Sequence, residues 1–228
     1  MKDNQNNKRQ YTHPHVDTLK LARRRHQLAA DIAAKGITDE HVLDAISRVP
    51  RHLFMPDGME NSAYIDRPFP IGEGQTISQP YTVAYQTQLL NVQPYDKILE
   101  VGTGSAYQAA ILAEMGAEVY TIERQKKLYD RNRHFQFLRS FPNLHFCYGD
   151  GFRGWRTEAP FDKILITAAP EVLPLALTRQ LRIGGLMVAP VGRQGSQRMV
   201  RVTREANGQL YEELFDHFSF VPMLEGKV

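Results

Sequence analysis

The sequence predicts a doubly wound α/β sheet, preceded by N-terminal helices and completed by C-terminal antiparallel strands. Three observations carry that expectation. From Lys97 onward short apolar runs alternate with helix-period segments, the pattern of parallel strands joined by crossover helices. A glycine turn, Gly102-Thr103-Gly104, follows the first of these runs, where such sheets open toward a ligand. Two alternating segments, Arg198 to Thr203 and Leu210 to Val221, flank Asn207-Gly208, a hairpin signal.

The elements follow in order. Leu19 to Ala34 has helical periodicity, with Arg23-Arg24-Arg25-His26 read as a solvated face. Thr38-Asp39-Glu40 opens a second helix to about Arg48, its apolar face made of Val42, Leu43, Ile46 and Val49. Asp57 to Tyr81 is irregular and rich in Gly and Pro, and a loop of that length inside a compact domain is usually functional. It contains GEGQTISQPY, Gly72 to Tyr81. The following helix shows Val83, Thr87 and Leu90 on one face, with Pro80 suited to its first turn and Ser78 or Gln79 at its N-cap. Such a helix start offers unsatisfied N–H groups to an anion, carboxylates included.

Strands are expected at Lys97 to Val101, Glu118 to Ile122, Leu144 to Tyr148, Phe161 to Thr167 and Gly184 to Pro190. Helices are expected between them at Ser105 to Met115, Gln125 to about Arg139 and Leu173 to Leu181.

With 228 residues the chain suits one domain, 16–228, behind a disordered tail over 1–15 rich in Asn, Gln and Lys. A net charge of +3 is too small to imply nucleic acid. The polar N-terminus lacks the apolar core of a signal peptide, and no apolar run is long enough to span a bilayer. One cysteine, Cys147, excludes an internal disulfide and a Cys-rich zinc site. The expectation is a cytoplasmic monomer without a membrane or nucleic-acid partner.

The glycine turn belongs to EVGTGSAYQ, Glu100 to Gln108. A dinucleotide fingerprint needs a third glycine at position 107, where Tyr107 stands. That disfavours a diphosphate cofactor and a dehydrogenase. The spacing resembles E-x-G-x-G of the S-adenosylmethionine-dependent methyltransferases. Glu123 ends the second strand about 20 residues on, where an acid commonly binds ribose hydroxyls. Asp150-Gly151 follows the third strand, where methyltransferases often place an acid near the adenine.

Over nearly the whole chain after the tail, the motifs resemble the protein-L-isoaspartate O-methyltransferase family. The matching segments are RVPRHLFMP (48–56), PIGEGQTISQPYTVA (70–84), KILEVGTGSAYQAAIL (97–112), VYTIER (119–124), GDGFRGW (149–155), APFDKILITAAPE (159–171) and QLRIGGLMVAPVG (180–192). The resemblance implies a Rossmann-like methyltransferase domain, with N-terminal helices and active-site loop over 16–96 and a cofactor-binding core over 97–228. It implies Ser78 as the active-site serine, and Gly102, Gly104, Glu123, Asp150 and Gly151 at bound S-adenosyl-L-methionine. Thr76 and Gln79 would shape the loop around the substrate. The implied activity moves a methyl group to the free carboxylate of L-isoaspartyl residues in damaged proteins and peptides, which needs no metal. Rival readings are a methyltransferase for another acceptor and a cofactor-binding homologue without turnover.

The chain departs from the family pattern at Ala106, where glycine is usual, and in TAAPEVLP, 167–174, where the Pro-Glu pair comes one place early. Ser105 is a natural N-cap, so Ala106 is expected inside the helix, where alanine is harmless. Cys147 is expected in the core rather than as a nucleophile, and His52 in a structural or surface role. Trp155 and Phe152 are expected as lid or core aromatics. Tyr64, Asp66 and Arg67 precede the serine loop, open to contact with a peptide.

Overall fold

The computed structural model describes residues 17–228, so the tail expected over 1–15 lies outside the described residues. Two helices come first, α1 (Leu19–Ala33) and α2 (Glu40–Arg48). Asp39 caps α2 by accepting from the N–H groups of His41 and Val42, as a short acid at the N-cap does. Val42, Ile46 and Val49 are buried, and Leu43 packs partly against the same core. Arg25 departs from the expected solvated face: it is buried, and donates to Ser47 O at 2.6 Å and to both Asp17 oxygens. Ser47 comes from the far end of α2 and Asp17 from before α1, so charge density within the helix did not show them.

The irregular segment holds a small antiparallel hairpin, β1 (Phe69–Gly72) and β2 (Gln75–Ile77), leading into α3 (Pro80–Leu90). Then come β3 (Lys97–Val101), α4 (Tyr107–Glu114), β4 (Glu118–Glu123), α5 (Lys126–His134), β5 (Leu144–Tyr148), β6 (Phe161–Ile166), α6 (Leu175–Thr178), β7 (Leu181–Val191), β8 (Arg198–Arg204) and β9 (Leu210–His217). The strands of the large sheet lie in the order β5-β4-β3-β6-β7-β8-β9. Pairings from β5 across to β7 are parallel, and those of β8 and β9 antiparallel. Among the described residues β9 is an edge, paired with β8. Alternate residues of β3 feed opposite faces: Ile98 joins the core under α1 to α4, whereas Leu99 and Val101 join a second core with Phe161, Leu177 and Met187. That alternation is the pleat.

Several boundaries differ from expectation. α5 stops at His134 and a 3-10 turn takes over at Gln136–Ser140, because Phe135 and Phe137 turn inward onto Phe54, with ring centroids 5.3 and 5.7 Å away. α6 is only four residues long; Pro174 bars Leu173 from the helical region. β7 starts earlier than expected and absorbs Gly184-Gly185 in a register shift against β6. β9 ends at His217 rather than Val221. Beyond it the chain leaves β8 and crosses the end of β6, with Ala169 N–H donating to Val221 O and Met223 N–H to Ala169 O, both at 2.8 Å.

Ala106 does not sit inside the helix. It is the residue before α4, in the left-handed region at φ 65° and ψ 13°. Ser105 instead accepts from Tyr107 N–H at 3.2 Å, closing a turn that forces its neighbour to positive φ. An alanine there costs about 1 kcal/mol relative to glycine, while its fully buried methyl contributes about 0.8 kcal/mol. Ala106→Gly is therefore expected to leave stability nearly unchanged in urea melts. Ala110→Gly, a buried alanine within α4, should lose about 2 kcal/mol. Equal losses at both positions would show that residue 106 is not left-handed.

Candidate active site

The carboxyl ends of β3, β4, β5 and β6 meet at the topological switch point, where the strand order leaves β3 in two directions. Gly102, at φ 103°, lies directly against β6: a Cβ built on it would stand 2.7 Å from Thr167 Oγ1. That hydroxyl is fixed by Val101 O at 3.0 Å and Gly102 O at 2.7 Å. Gly104, at φ 52°, donates its N–H to Glu123 Oε2 at 2.8 Å. The other Glu123 oxygen accepts from Gln125 N–H at 2.8 Å. Glu123 is buried, and desolvation raises its pKa against the pull of these N–H donors. Each of its oxygens keeps a further acceptor site for a hydroxyl. Asn132, buried on α5, donates to Gly104 O at 3.0 Å and braces the loop from behind.

At the end of β5, Gly151 packs so closely that an added Cβ would lie 2.4 Å from Val101 Cγ1. Asp150 beside it accepts from Phe152 N–H at 3.0 Å and caps the short turn 151–153.

Below the glycine loop lies Glu100, fully buried. Thr121 Oγ1 donates to Glu100 Oε2 at 2.5 Å and lies 2.6 Å from Thr103 Oγ1. Burial, with the Glu123 charge adding to it, pushes the Glu100 carboxyl up to about 8. At neutral pH it is therefore mostly uncharged.

The serine loop is built from the other side. Ile77 is buried and anchors β2, and Ser78 follows half-buried. Gln79 occupies the N-cap position of α3, but its side chain makes no cap bond. Asp66 does that work from upstream, accepting from Tyr81 N–H at 2.8 Å and from Gln79 Nε2 at 3.1 Å, with Lys35 Nζ at 2.6 Å. Arg51, fully buried, stands 4.9 Å from the Tyr107 ring centroid and reaches Arg67 O at 3.4 Å. Burial lowers its pKa to about 10, so it stays charged at neutral pH.

The two loops share one cavity of about 590 Å³. It brings Thr76, Ser78 and Gln79 together with Gly102, Gly104, Glu123 and Gly151; Asp150 is set back from its lining. Sequence reasoning missed Thr103 and Gln108 as wall residues, and above all the strap Asp216 to Leu224. Pro222 was the available signal for the strap, since it cannot donate to a ladder. His52 is structural: buried, with Nδ1 2.7 Å from Tyr64 OH. Tyr64 also meets Arg25 at 3.4 Å, so it faces inward. Cys147 is half-buried on β5, its thiol pushed up by burial, unlike an activated nucleophile. Trp155 packs edge-on to Tyr120 and lies partly buried against the second core.

Comparison with known proteins agrees with this fold. The family described as Protein-L-isoaspartate(D-aspartate) O-methyltransferase matches residues 23–228. A protein-L-isoaspartate O-methyltransferase of Flavobacterium psychrophilum is 47% identical over 211 residues, covering 92% of this chain and 99% of its own. One from Halorhodospira halophila is 50% identical over 210 residues, covering 90% and 94%. The crystal structure of a Plasmodium falciparum protein described as a protein-L-isoaspartate O-methyltransferase, in complex with S-adenosyl-L-homocysteine, superposes with a TM-score of 0.75. It is 25% identical and covers 88% of this chain and 98% of its own. The chain therefore belongs to the protein-L-isoaspartate(D-aspartate) O-methyltransferase family.

Proposed function

We propose that this chain methylates the free α-carboxylate of L-isoaspartyl residues in damaged proteins and peptides, using S-adenosyl-L-methionine. The observation that carries the reading is the single cavity joining the Ser78 loop to the Gly102–Gly104 loop. The cradle fits the cofactor. Gly102 and Gly151 let the strand ends close up where a Cβ would strike Thr167 and Val101, which brings their bare backbone to the cavity wall, and Glu123 presents a carboxylate at the strand end for ribose hydroxyls. When bound, S-adenosyl-L-methionine supplies a methyl group on a positively charged sulfur.

The residues then have an alignment task. An isoaspartyl carboxylate, with a reference pKa of about 4, is ionised at neutral pH and needs no general base. Tyr81 N–H is already used by Asp66, so a row of helix donors is not what holds the substrate. The Ser78 hydroxyl, with Thr82 of the same turn also lining the cavity, is the donor best placed for it. One modest donor suits the chemistry, because the carboxylate loses its charge as the ester forms. Thr76 and Gln79 shape the entrance on either side of Ser78, and the strap 216–224 screens the cavity from water.

The test is methyl transfer to one peptide made with either an isoaspartyl or an ordinary aspartyl residue. Base-labile methyl ester is expected on the isoaspartyl form alone; equal labelling, or none, would sink the reading. We further propose a cytoplasmic monomer without nucleic-acid or membrane partners. Its modest net charge of +3 supports this, and size exclusion with light scattering checks the monomer.

A further inference from the structure

Where α3 meets the end of β9, one side of the cavity carries groups that methyl transfer itself does not require. Tyr85 Oη donates to Asp216 Oδ2 at 3.0 Å. The Tyr85 and Phe218 rings lie 4.9 Å apart, and the Tyr81 ring lies 5.9 Å from Tyr85. Tyr81, Asp216 and Phe218 line the same cavity as Ser78. Asp216 is exposed, and among the described residues no cation lies within ion-pair distance of it. On the same strand Glu213 is held by Arg201 at 2.8 and 2.9 Å. A carboxylate with no cationic partner among the described residues, bordered by aromatic rings, attracts a cation twice over, through its charge and through the negative faces of the rings.

We infer that this wall selects for a lysine or arginine next to the isoaspartyl residue of the substrate. The inference rests on the isoaspartyl activity proposed above and specifies which peptides the site prefers. The distances suit a neighbouring residue. Tyr81 is three positions past Ser78, and Tyr85 is one turn further, roughly 6 Å along the helix axis. Successive peptide Cα atoms are about 3.8 Å apart, so the wall lies within one or two residues of the carboxylate's seat. Tyr85 acts as a positioning residue, fixing the Asp216 carboxylate beside the Phe218 ring. An acidic neighbour would meet like charge, whereas an apolar one would meet the rings alone. His217 also lines this wall, so the peptides are compared at one fixed pH.

The experiment uses the full chain and three isoaspartyl peptides, identical but for Lys, Leu or Glu beside the isoaspartyl residue. KM should be about three- to fivefold lower for the Lys peptide than for the Glu peptide, with similar kcat. In Asp216→Asn the gap should close, and in Tyr85→Phe it should narrow. About 0.5 M salt should shrink it in the wild type, because exposed charges are screened. S-adenosyl-L-homocysteine affinity, measured by calorimetry, reports whether each variant is folded. Equal KM for all three peptides in the wild type would overturn this inference alone, as would a full gap persisting in a folded Asp216→Asn. A chain that methylates none of the three fails the isoaspartyl reading and this inference with it.

Discussion

Ser78→Ala is expected to lower kcat on an isoaspartyl peptide by about a hundredfold, the usual loss when one preorganised donor leaves a reacting oxygen. Cofactor affinity should stay within about twofold, since that is the scale of a surface change below 0.5 kcal/mol. The separation follows from where the residue sits. Ser78 comes from the β2–α3 junction, whereas the proposed cofactor cradle lies at the ends of β3, β4 and β5. Among the described residues no protein group engages the Ser78 hydroxyl, and the side chain is only half-buried, so its removal breaks no internal bond. Steady-state kinetics with calorimetry of S-adenosyl-L-homocysteine reads both arms. An unchanged kcat would remove Ser78 from the mechanism; a parallel loss of cofactor affinity would mean that it shapes the loop rather than holding the carboxylate.

Gly102→Ala should do the reverse, removing cofactor binding while destabilising the fold by about 2–4 kcal/mol. Two penalties coincide. At φ 103° an L side chain is strained, and its Cβ would meet Thr167 Oγ1 at 2.7 Å. The threonine has nowhere easy to go, because its hydroxyl is tied to two carbonyls. Any relief shifts the loop that presents Gly104 to Glu123. Thermal melts and S-adenosyl-L-homocysteine titration measure the two effects. A double-mutant cycle with Thr167→Ala apportions them: the steric part of the Gly102→Ala cost should fall in that background, and the backbone part should remain. If Thr167→Ala gives no relief, the clash is not the cause.

The central parallel strands were legible because burial on both faces demands short, nearly continuous apolar runs, and the outermost one because it is a short run of β-formers between turn residues. Lys97 to Val101 and Leu144 to Tyr148 match to the residue. Both loops of the site were legible too, since positive φ and close approach leave glycine little competition. The rest was hidden by distance along the chain. Asp66 caps α3 from 15 residues before Tyr81, so a search for a cap at Ser78 or Gln79 could not find it. Arg25 looked solvated because its partners, Asp17, Ser47 and Tyr64, belong to other segments. Ala106 misled for the opposite reason. Ser105 is a good local cap, but its hydroxyl closes a turn one residue later, and only the backbone angle reveals the cost. The strap escaped because Leu210 to Val221 keeps alternating after pairing ends at His217.

β9 has a consequence of another kind. Among the described residues its outer side has no partner strand, and a free strand edge is a template for any extended chain that passes. An enzyme that works on damaged proteins meets loosened, partly unfolded chains as its ordinary company. The exposed Glu212 and Asp216 on that edge, together with its Tyr85 tether at the cavity end, make it a poor template. A strand that added there would bring its own side chains against carboxylates and could not follow the edge to its end. The acidic border thus separates two kinds of encounter. It admits a peptide at the cavity, where one residue is read, and discourages the indiscriminate pairing by which damaged chains aggregate.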